Sequence, residues 1–291
     1  MIKIVKYNSL NVDKYLECVR KSEQYCYQSE IDFLESSNGE DWEFLVEEDY
    51  QAVMPVPIIR KLGIKIVLPP PFAQQLGIFS SKDEPYLNQC FFDFLMKKYR
   101  VYYYPFNIKN KIEQLHESPN YYIEQGDYQS VKSRYSATRR RNVRLNHKSN
   151  SGLAFFRDLE IKAMQAFFYK NILGLKSEKM KNRYYEVLEE LYSRKRLKIY
   201  GVKKDEKWVS MAAISDFPKE RALLCLMNNK SVQSNAASII IDDVLEESIQ
   251  NQTFNFMGSR IPAIQDFNRR FGAVVQSYKI IPVSKRRLLK I

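Results

Sequence analysis

A run of arginines near the middle of the chain is the first candidate for chemistry. Residues 132–144 read KSRYSATRRRNVR, and no acidic residue occurs between Asp127 and Asp158. On a helix, Arg140 and Arg144 lie one turn apart on the same face, where two guanidinium groups can bind phosphate or carboxylate oxygens. The sequence therefore predicts anion binding at Arg140 and Arg144, and a solvated helix face is the alternative.

A strand-to-helix connection is the second candidate. The strand predicted over 221–228 is followed by small polar residues and then by a helix predicted over 236–250. Ser and Asn are good N-caps, and small side chains let a ligand reach the amides of the first turn, where the helix dipole favours anions. A helix that only caps itself is the alternative. The residues predicted to bind the phosphates of a donor are Asn228, Ser234, Asn235 and Ser238.

Two further segments could line a cleft. The apolar strand sequence FNFM, residues 254–257, ends in Gly-Ser before a predicted helix, so Ser259 follows a strand end and Arg269 lies one helix away. Ligands of α/β sheets bind beyond strand ends, although a simple turn is the alternative. Gln74 and Gln75 follow three prolines, and their amides either line a cleft or satisfy irregular backbone. All four are predicted cleft or substrate residues.

Spacing excludes several familiar sites. The chain has nine glycines, no two within ten positions of each other, which rules out the P-loop and the dinucleotide GxGxxG motif. Its four cysteines never form a Cys-x-x-Cys pair, so neither a metal site nor a permanently bound cofactor is predicted. No Ser-His-Asp or Cys-His arrangement can be argued from spacing, and no catalytic residue is named.

Charge is distributed unevenly along the 291 residues. Residues 1–119 carry 14 basic and 17 acidic side chains, whereas residues 120–291 carry 32 basic and 17 acidic ones. A basic excess of this kind predicts a polyanionic partner: a nucleic acid, an anionic lipid surface or the phosphates of a cofactor. We find no apolar run of about 18 residues and no apolar signal core, so we expect no membrane span and a cytoplasmic protein with reduced thiols.

The predicted elements describe a mixed α/β scaffold in two parts. Residues 1–119 read as helix (12–27), hairpin, strand, helix and strand, and residues 120–291 repeat this order with additional helices. The polar stretch 110–125 is the predicted linker. We therefore predict an N-terminal domain over 1–119 and a strongly basic C-terminal domain over 120–291.

Four motifs together resemble a known family. They are the RYSATRRRNVR run, the PPPFAQQLGIF loop, the FNFMGS strand end, and IQDFNRRFGA with the following Tyr278. In this order they resemble Fem-type peptidyltransferases and related bacterial acyltransferases with two tandem GNAT-like (acyl-CoA N-acyltransferase) domains. The glycine-rich pyrophosphate loop of ordinary GNAT enzymes is absent, since no glycine lies between Gly201 and Gly258.

The resemblance implies an activity and its partners. Relatives move an acyl or aminoacyl group from acyl-CoA or aminoacyl-tRNA, as co-substrate, to the amine of a small molecule or peptide. The strand 221–228 would meet the donor, and Ser234–Ser238 would face its phosphates. The alternatives are a nucleic-acid-binding protein without catalysis, in which arginines contact phosphates and tyrosines stack on bases, and a degenerate member kept for partner binding. The sequence does not predict an oligomeric state.

Overall fold

The computed structural model describes residues 1–82, 84–146, 152–232 and 234–289. It divides into two compact units. Unit 1 comprises Met1–Pro119 together with Gln276–Ile291, and unit 2 is Asn120–Val275. The first boundary, after Pro119, coincides with the division predicted from the sequence. The segment 276–291, assigned there to the C-terminal domain, belongs instead to unit 1.

Unit 1 is a mostly antiparallel sheet with helices. Its elements are β1 (Ile2–Lys6), α1 (Val12–Lys21), α2 (Ile31–Asn38), β2 (Trp42–Glu47), β3 (Ala52–Lys61), β4 (Ile64–Val67), β5 (Phe79–Ser80), α3 (Pro85–Lys98), β6 (Arg100–Val101), β7 (Tyr104–Pro105) and the start of β8 (His116–Ile123). The strand order is β1-β2-β3-β4-β6, with β5 beside β3, and among the described residues of this sheet only β4 and β6 pair in parallel.

Strand β1 and helix α2 are among the elements of unit 1 that the sequence pattern did not predict. Strand β1 pairs with β2 along its whole length, from Ile2 opposite Glu47 to Lys6 opposite Glu43. Helix α2 buries polar Ser36 and Ser37 together with Phe33, so it lacks the apolar stripe that marks a helix in sequence. The helix predicted over 12–27 is shorter in the structure, where α1 ends at Lys21.

The predicted linker at 110–125 is a strand over half of its length. Strand β8 occupies His116–Ile123, and its side chains at Ser118, Asn120 and Tyr121 are buried. Tyr121, Tyr122 and Ile123 pair with a strand of unit 2. The polar residues that suggested a solvated linker are buried by tertiary packing, which local sequence does not reveal.

Unit 2 surrounds a larger sheet. Its elements are α4 (Tyr128–Ser133), α5 (Ala137–Asn146), β9 (Leu153–Phe156), α6 (Ile161–Asn171), α7 (Glu178–Ser193), β10 (Leu197–Lys204), β11 (Lys207–Phe217), β12 (Glu220–Asn228), α8 (Ala236–Ser248), β13 (Thr253–Met257), α9 (Pro262–Arg269) and the start of β14 (Val274–Ile281). The strand order is β8-β13-β12-β11-β10-β9, and β12 and β13 form the parallel pair. The rest of β14 lies in unit 1, where Ile280 pairs with Pro105 of β7.

Several local predictions for unit 2 are confirmed. Strands β10 and β11 form the predicted hairpin, closed by Asp205 and Glu206, which both have positive φ as a two-residue type I′ turn requires. Helix α8 is almost wholly buried, including Ile241 and Val244 of its predicted apolar face. None of the helices in the described part of the chain is long and apolar enough to cross a bilayer.

An ion network holds the end of α8 to the start of β12. Buried Arg221 donates to Asp216 at 3.0 Å and to Glu247 at 3.1 Å, and Lys198 donates to Glu247 at 2.7 Å. Burial alone would raise the pKa of Glu247, but the hydrogen bonds from Arg221 and Lys198 outweigh it and lower the pKa to about 2. The network lies at the opposite end of β12 from Asn228.

Glu247→Gln is expected to reduce the acid sensitivity of the fold. A carboxyl whose pKa falls on folding contributes stability above its ordinary value of 4.5, and that contribution disappears as the pH falls toward about 2. The free energy of unfolding, measured with urea, should therefore fall for the wild type between pH 6 and pH 2. The Gln variant lacks the contribution of this carboxylate at every pH, so its free energy of unfolding should fall less. Exposed Glu246→Gln is the control and should follow the wild type. Parallel curves for wild type and Glu247→Gln would contradict this assignment.

Candidate functional site

Two neighbouring strands of unit 2 begin as a pair and then separate. β12 and β13 pair in parallel only over Glu220–Ala222 and Thr253–Asn255. Beyond this, β12 continues along β11 to Asn228, with Leu224 as an extra residue at a β-bulge. In the described ladder the edge of β12 after residue 222 has no partner from β13. Its backbone groups can therefore hydrogen-bond a ligand laid along that edge.

The end of β13 is bent by a second irregularity. Its pairing with β8 shifts register between Asn255 and Met257, and Met257 adopts φ of 63°. The Asn255 side chain fixes the bend, since it accepts a bond from Met257 N at 2.8 Å and donates to Glu220 Oε1 at 2.6 Å. Left-handed backbone at a residue with a side chain is uncommon and costs energy. We call the gap between the two strands the β12–β13 wedge.

A pocket of about 280 Å³ lies where β12 ends and α8 begins. We call it the α8 pocket. All four residues predicted to bind donor phosphates, Asn228, Ser234, Asn235 and Ser238, line it. Their role as ligands stays a prediction. Asn235 takes the N-cap position, but its side chain makes no capping hydrogen bond to the first turn, and that turn contains no acidic residue.

The α8 pocket also contains a buried arginine that the sequence analysis did not select. Arg139 of α5 is only 4% exposed and packs against two aromatic rings that also contact each other, with its guanidinium carbon 4.3 Å from the Phe267 centroid and 4.1 Å from the Phe271 centroid. Its Nη1 donates to Ser238 Oγ, and its Nη2 donates to the Phe267 carbonyl at 3.3 Å. Burial, with the nearby Arg270 charge, lowers the pKa of Arg139 to about 10.

A larger basic groove of about 720 Å³ lies on the other side of α5. We call it the α4–α5 groove, and its lining residues are Gln129, Lys132, Ser133, Ala137, Arg140, Arg141, Val143 and Arg144. The predicted pair Arg140 and Arg144 thus shares one surface, as its helical spacing implies. This lining includes four cations and no carboxylate. Anion binding in the groove stays a prediction.

Arg140 also stabilises the end of helix α4. Its Nη1 donates to the backbone carbonyls of Ser133 at 2.9 Å and Tyr135 at 2.6 Å. These carbonyls lie at the C-terminal end of α4, where helices leave acceptors unsatisfied. Lys132, at the same end, contacts buried Asp242 of α8 at 3.6 Å. The groove is therefore anchored to the core by side chains that also supply its charge.

The other predicted cleft residues do not line either of these cavities. Ser259 Oγ accepts a bond from Ile261 N at 3.1 Å, as in the simple turn that was the alternative reading. Arg269 donates to Tyr121 OH at 3.2 Å. Gln74 and Gln75 belong to unit 1, in the loop between β4 and β5, and Gln75 is buried. A substrate role for these four residues stays a prediction.

The only cysteine on β12 has the wrong ionisation for covalent catalysis. Burial raises the pKa of the Cys225 thiol to about 12. A thiol attacks as its thiolate, so this side chain is protonated at neutral pH and a poor nucleophile.

The sequence pattern pointed to no arginine for the α8 pocket. Residues 139 to 141 are all arginine, and helical spacing alone does not show which of them turns inward. The signal for Arg139 is the pair Phe267 and Phe271, which are four residues apart from each other but more than a hundred residues from Arg139. The guanidinium can pack against these rings only because tertiary structure brings both phenylalanines next to α5.

These features together define the class of fold. Unit 2 has a mixed sheet, a bulged strand that parts from its parallel neighbour, and a helix whose first turn opens on a pocket at the end of that strand. This is a Fem/GNAT-like architecture, and the predicted mixed α/β fold class is confirmed.

Comparison with solved structures gives the same fold. The chain is similar to the crystal structure of FemX, with a TM-score of 0.68, 8% identity and 98% of each chain covered. A tandem GNAT protein from the clavulanic acid biosynthesis pathway has a TM-score of 0.55 and 6% identity over 96% of this chain and 97% of that one. L-PGS from Bacillus licheniformis has a TM-score of 0.51 and 13% identity over 95% and 92%. No family model and no curated protein matches the sequence.

Proposed function

We propose that this protein is an N-acyltransferase that moves an acyl or aminoacyl group from an activated donor to an amine. The observation that carries the proposal is the β12–β13 wedge, whose open strand edge ends at Asn228 in the wall of the α8 pocket. A donor with a carbonyl and a phosphate can therefore place the carbonyl against backbone donors and the phosphate at the helix start.

The reaction is a single displacement. The amine nitrogen of the acceptor attacks the carbonyl carbon, the carbon–sulfur bond of a thioester or the carbon–oxygen bond of an aminoacyl ester breaks, and the new amide bond forms. The leaving sulfur or oxygen takes up the proton that the amine loses. The protonated Cys225 thiol and the open backbone edge of β12 both support this direct route over a covalent one.

A transfer assay tests the proposal. The full chain is incubated with labelled acetyl-CoA, long-chain acyl-CoA or aminoacyl-tRNA, together with a set of amine and peptide acceptors, and amide product is detected by mass spectrometry. Thermal melting with each donor and with free CoA measures binding in parallel, because a ligand of the folded state raises the melting temperature. Amide formed with one donor class supports the proposal and names the donor. Binding without transfer to any acceptor would favour the degenerate alternative.

The α4–α5 groove favours a second candidate, RNA binding, either by itself or as the carrier of an aminoacyl donor. Four cations on one open surface match the spaced charges of a phosphodiester backbone. The resemblance to Fem-type enzymes independently raises tRNA as a partner. If the protein binds RNA, its RNA affinity should fall steeply as the salt concentration rises, and binding should not need a thioester.

Arg144→Ala and Arg140→Ala are expected to separate binding from folding. Each should lower the affinity for bulk tRNA by about threefold to tenfold at low salt and reduce the salt slope by about one. Arg144 is exposed, so its variant should melt like the wild type. Arg140 also holds the end of α4, and its variant should melt at a lower temperature. Filter binding and thermal melting measure both effects. Unchanged tRNA affinity in both variants would remove the groove as an RNA site.

A further inference from the structure

The buried cation Arg139 has no carboxylate to balance it. Among the described residues, no carboxylate lies within salt-bridge distance of its guanidinium, and its Nε atom is buried without a hydrogen-bond partner. Asp266 lines the same pocket and acts on the Arg139 charge, but its carboxylate is paired with Arg270, another lining residue, at 2.7 Å. A buried, unpaired charge is costly to the folded state, and an anion bound beside it would remove that cost.

The orientation of the guanidinium is fixed by its surroundings. Phe267 and Phe271 pack against it, while Ser238 Oγ and the Phe267 carbonyl hold its Nη atoms. Its own helix is anchored, because Arg139 N donates to Ser136 Oγ at 3.1 Å and Ser136 N donates to the Arg270 carbonyl at 2.9 Å. A preorganised guanidinium loses little side-chain entropy when it binds an oxyanion.

The same pocket supplies a second attraction for an anion. Ser238, which Arg139 contacts, lies in the first turn of the 13-residue helix α8, whose positive dipole end opens on the pocket. Asn142, three residues along α5 from Arg139, lines the pocket as well. The helix end and the buried guanidinium are independent features that favour the same ligand charge.

We propose that Arg139 is the residue that selects a pyrophosphate or phosphate group in the α8 pocket. A side chain from α5 thereby supplies the anion contact in a chain that has no glycine-rich loop before α8. The inference rests on the proposed function only in taking this phosphate to be part of the donor. It makes Arg139 a binding and specificity residue and leaves the reacting carbonyl to the β12 edge.

Titration of the full chain with inorganic pyrophosphate tests the inference directly. The wild type should bind pyrophosphate at millimolar concentration or tighter, measured by calorimetry and by the rise in melting temperature. Arg139→Met, which approximates the length of the side chain but removes its charge, should weaken binding at least tenfold. Arg183→Met removes one exposed charge from α7, outside the linings of the α8 pocket and the α4–α5 groove, and should change binding less than threefold. No pyrophosphate binding by the wild type would overturn the inference.

The melting temperature without ligand distinguishes a ligand site from a structural cation. If Arg139 binds an anionic ligand, Arg139→Met should melt within about 3 °C of the wild type, because removing a costly unpaired buried charge offsets the loss of its hydrogen bonds to Ser238 and the Phe267 carbonyl. A fall of more than about 8 °C with unchanged pyrophosphate affinity would overturn the inference. Should that variant not fold, Arg139→Lys keeps the charge without the planar stack, and it should still bind with several-fold lower affinity.

The inference and the proposed function fail in different ways. Transfer activity with an unchanged donor KM in Arg139→Met would refute the role of Arg139 and leave the acyltransferase intact. Binding of pyrophosphate that depends on Arg139, with no transfer from any donor, would leave the anion site intact and refute the acyltransferase.

Discussion

Ser234→Glu is expected to weaken donor binding by at least a hundredfold. Ser234 is half-buried and lines the α8 pocket beside Asn235 and Ser238. A glutamate there places a negative charge where the phosphate is proposed to bind, and two like charges about 5 Å apart near a protein surface cost on the order of 3 kcal/mol. The donor KM and the donor-induced shift in melting temperature measure the loss.

The neighbouring serine offers a matched control. Ser231 is exposed in the same connection between β12 and α8, and it is not among the residues that line the pocket. Ser231→Glu adds the same charge to the same loop and should leave the donor KM within about threefold of the wild type. Equal effects of the two substitutions would mean that the loop responds to charge in general. An unchanged KM in Ser234→Glu would remove the α8 pocket from the proposed function.

Gly77→Ala is expected to lower the free energy of unfolding by about 3–5 kcal/mol. Gly77 has φ of 102°, a conformation that other residues rarely adopt, and a Cβ there would overlap Asn110 Oδ1 and lie 2.9 Å from Asn107 N. Asn110 cannot move away freely, because its Oδ1 accepts a bond from Ile78 N at 2.8 Å. Urea unfolding followed by circular dichroism measures the change.

Gly63→Ala separates backbone strain from collision. Gly63 has φ of 75°, but apart from its chain neighbours no heavy atom of the described residues lies within 4 Å of the point that a Cβ would occupy. Its substitution should cost only the left-handed backbone penalty of about 1 kcal/mol. A loss at Gly77 no larger than the loss at Gly63 would show that the loop around Asn110 adapts, and would contradict the packing described here.

Local sequence was sufficient where one element determines its own structure. The hairpin of β10 and β11, the burial of α8 and the shared face of Arg140 and Arg144 follow from alternation, helical spacing and turn length, which operate over a few residues. The order of small polar residues after β12 also predicted which side chains meet at the start of α8, because they are close in sequence.

Long-range packing decided the features that sequence reasoning missed. The polar stretch 110–125 resembled a linker, yet β8 takes its place because the sheet of unit 2 offers it pairing partners in β13. The segment 276–291 follows unit 2 in sequence but joins unit 1, where β14 pairs with β7. Neither pairing can be recognised from the local sequence, since the two paired strands are more than a hundred residues apart.

The sequence by itself determined the mixed α/β fold class, the basic character of residues 120–291 and the absence of the glycine loops that bind nucleotides. Tertiary structure decided which arginine enters the α8 pocket. Three consecutive arginines have the same local propensity, and only the meeting of α5 with Phe267 and Phe271 buries the first of them. A side chain's burial and charge environment depend on contacts distant in sequence, and the candidate anion site is made of such contacts.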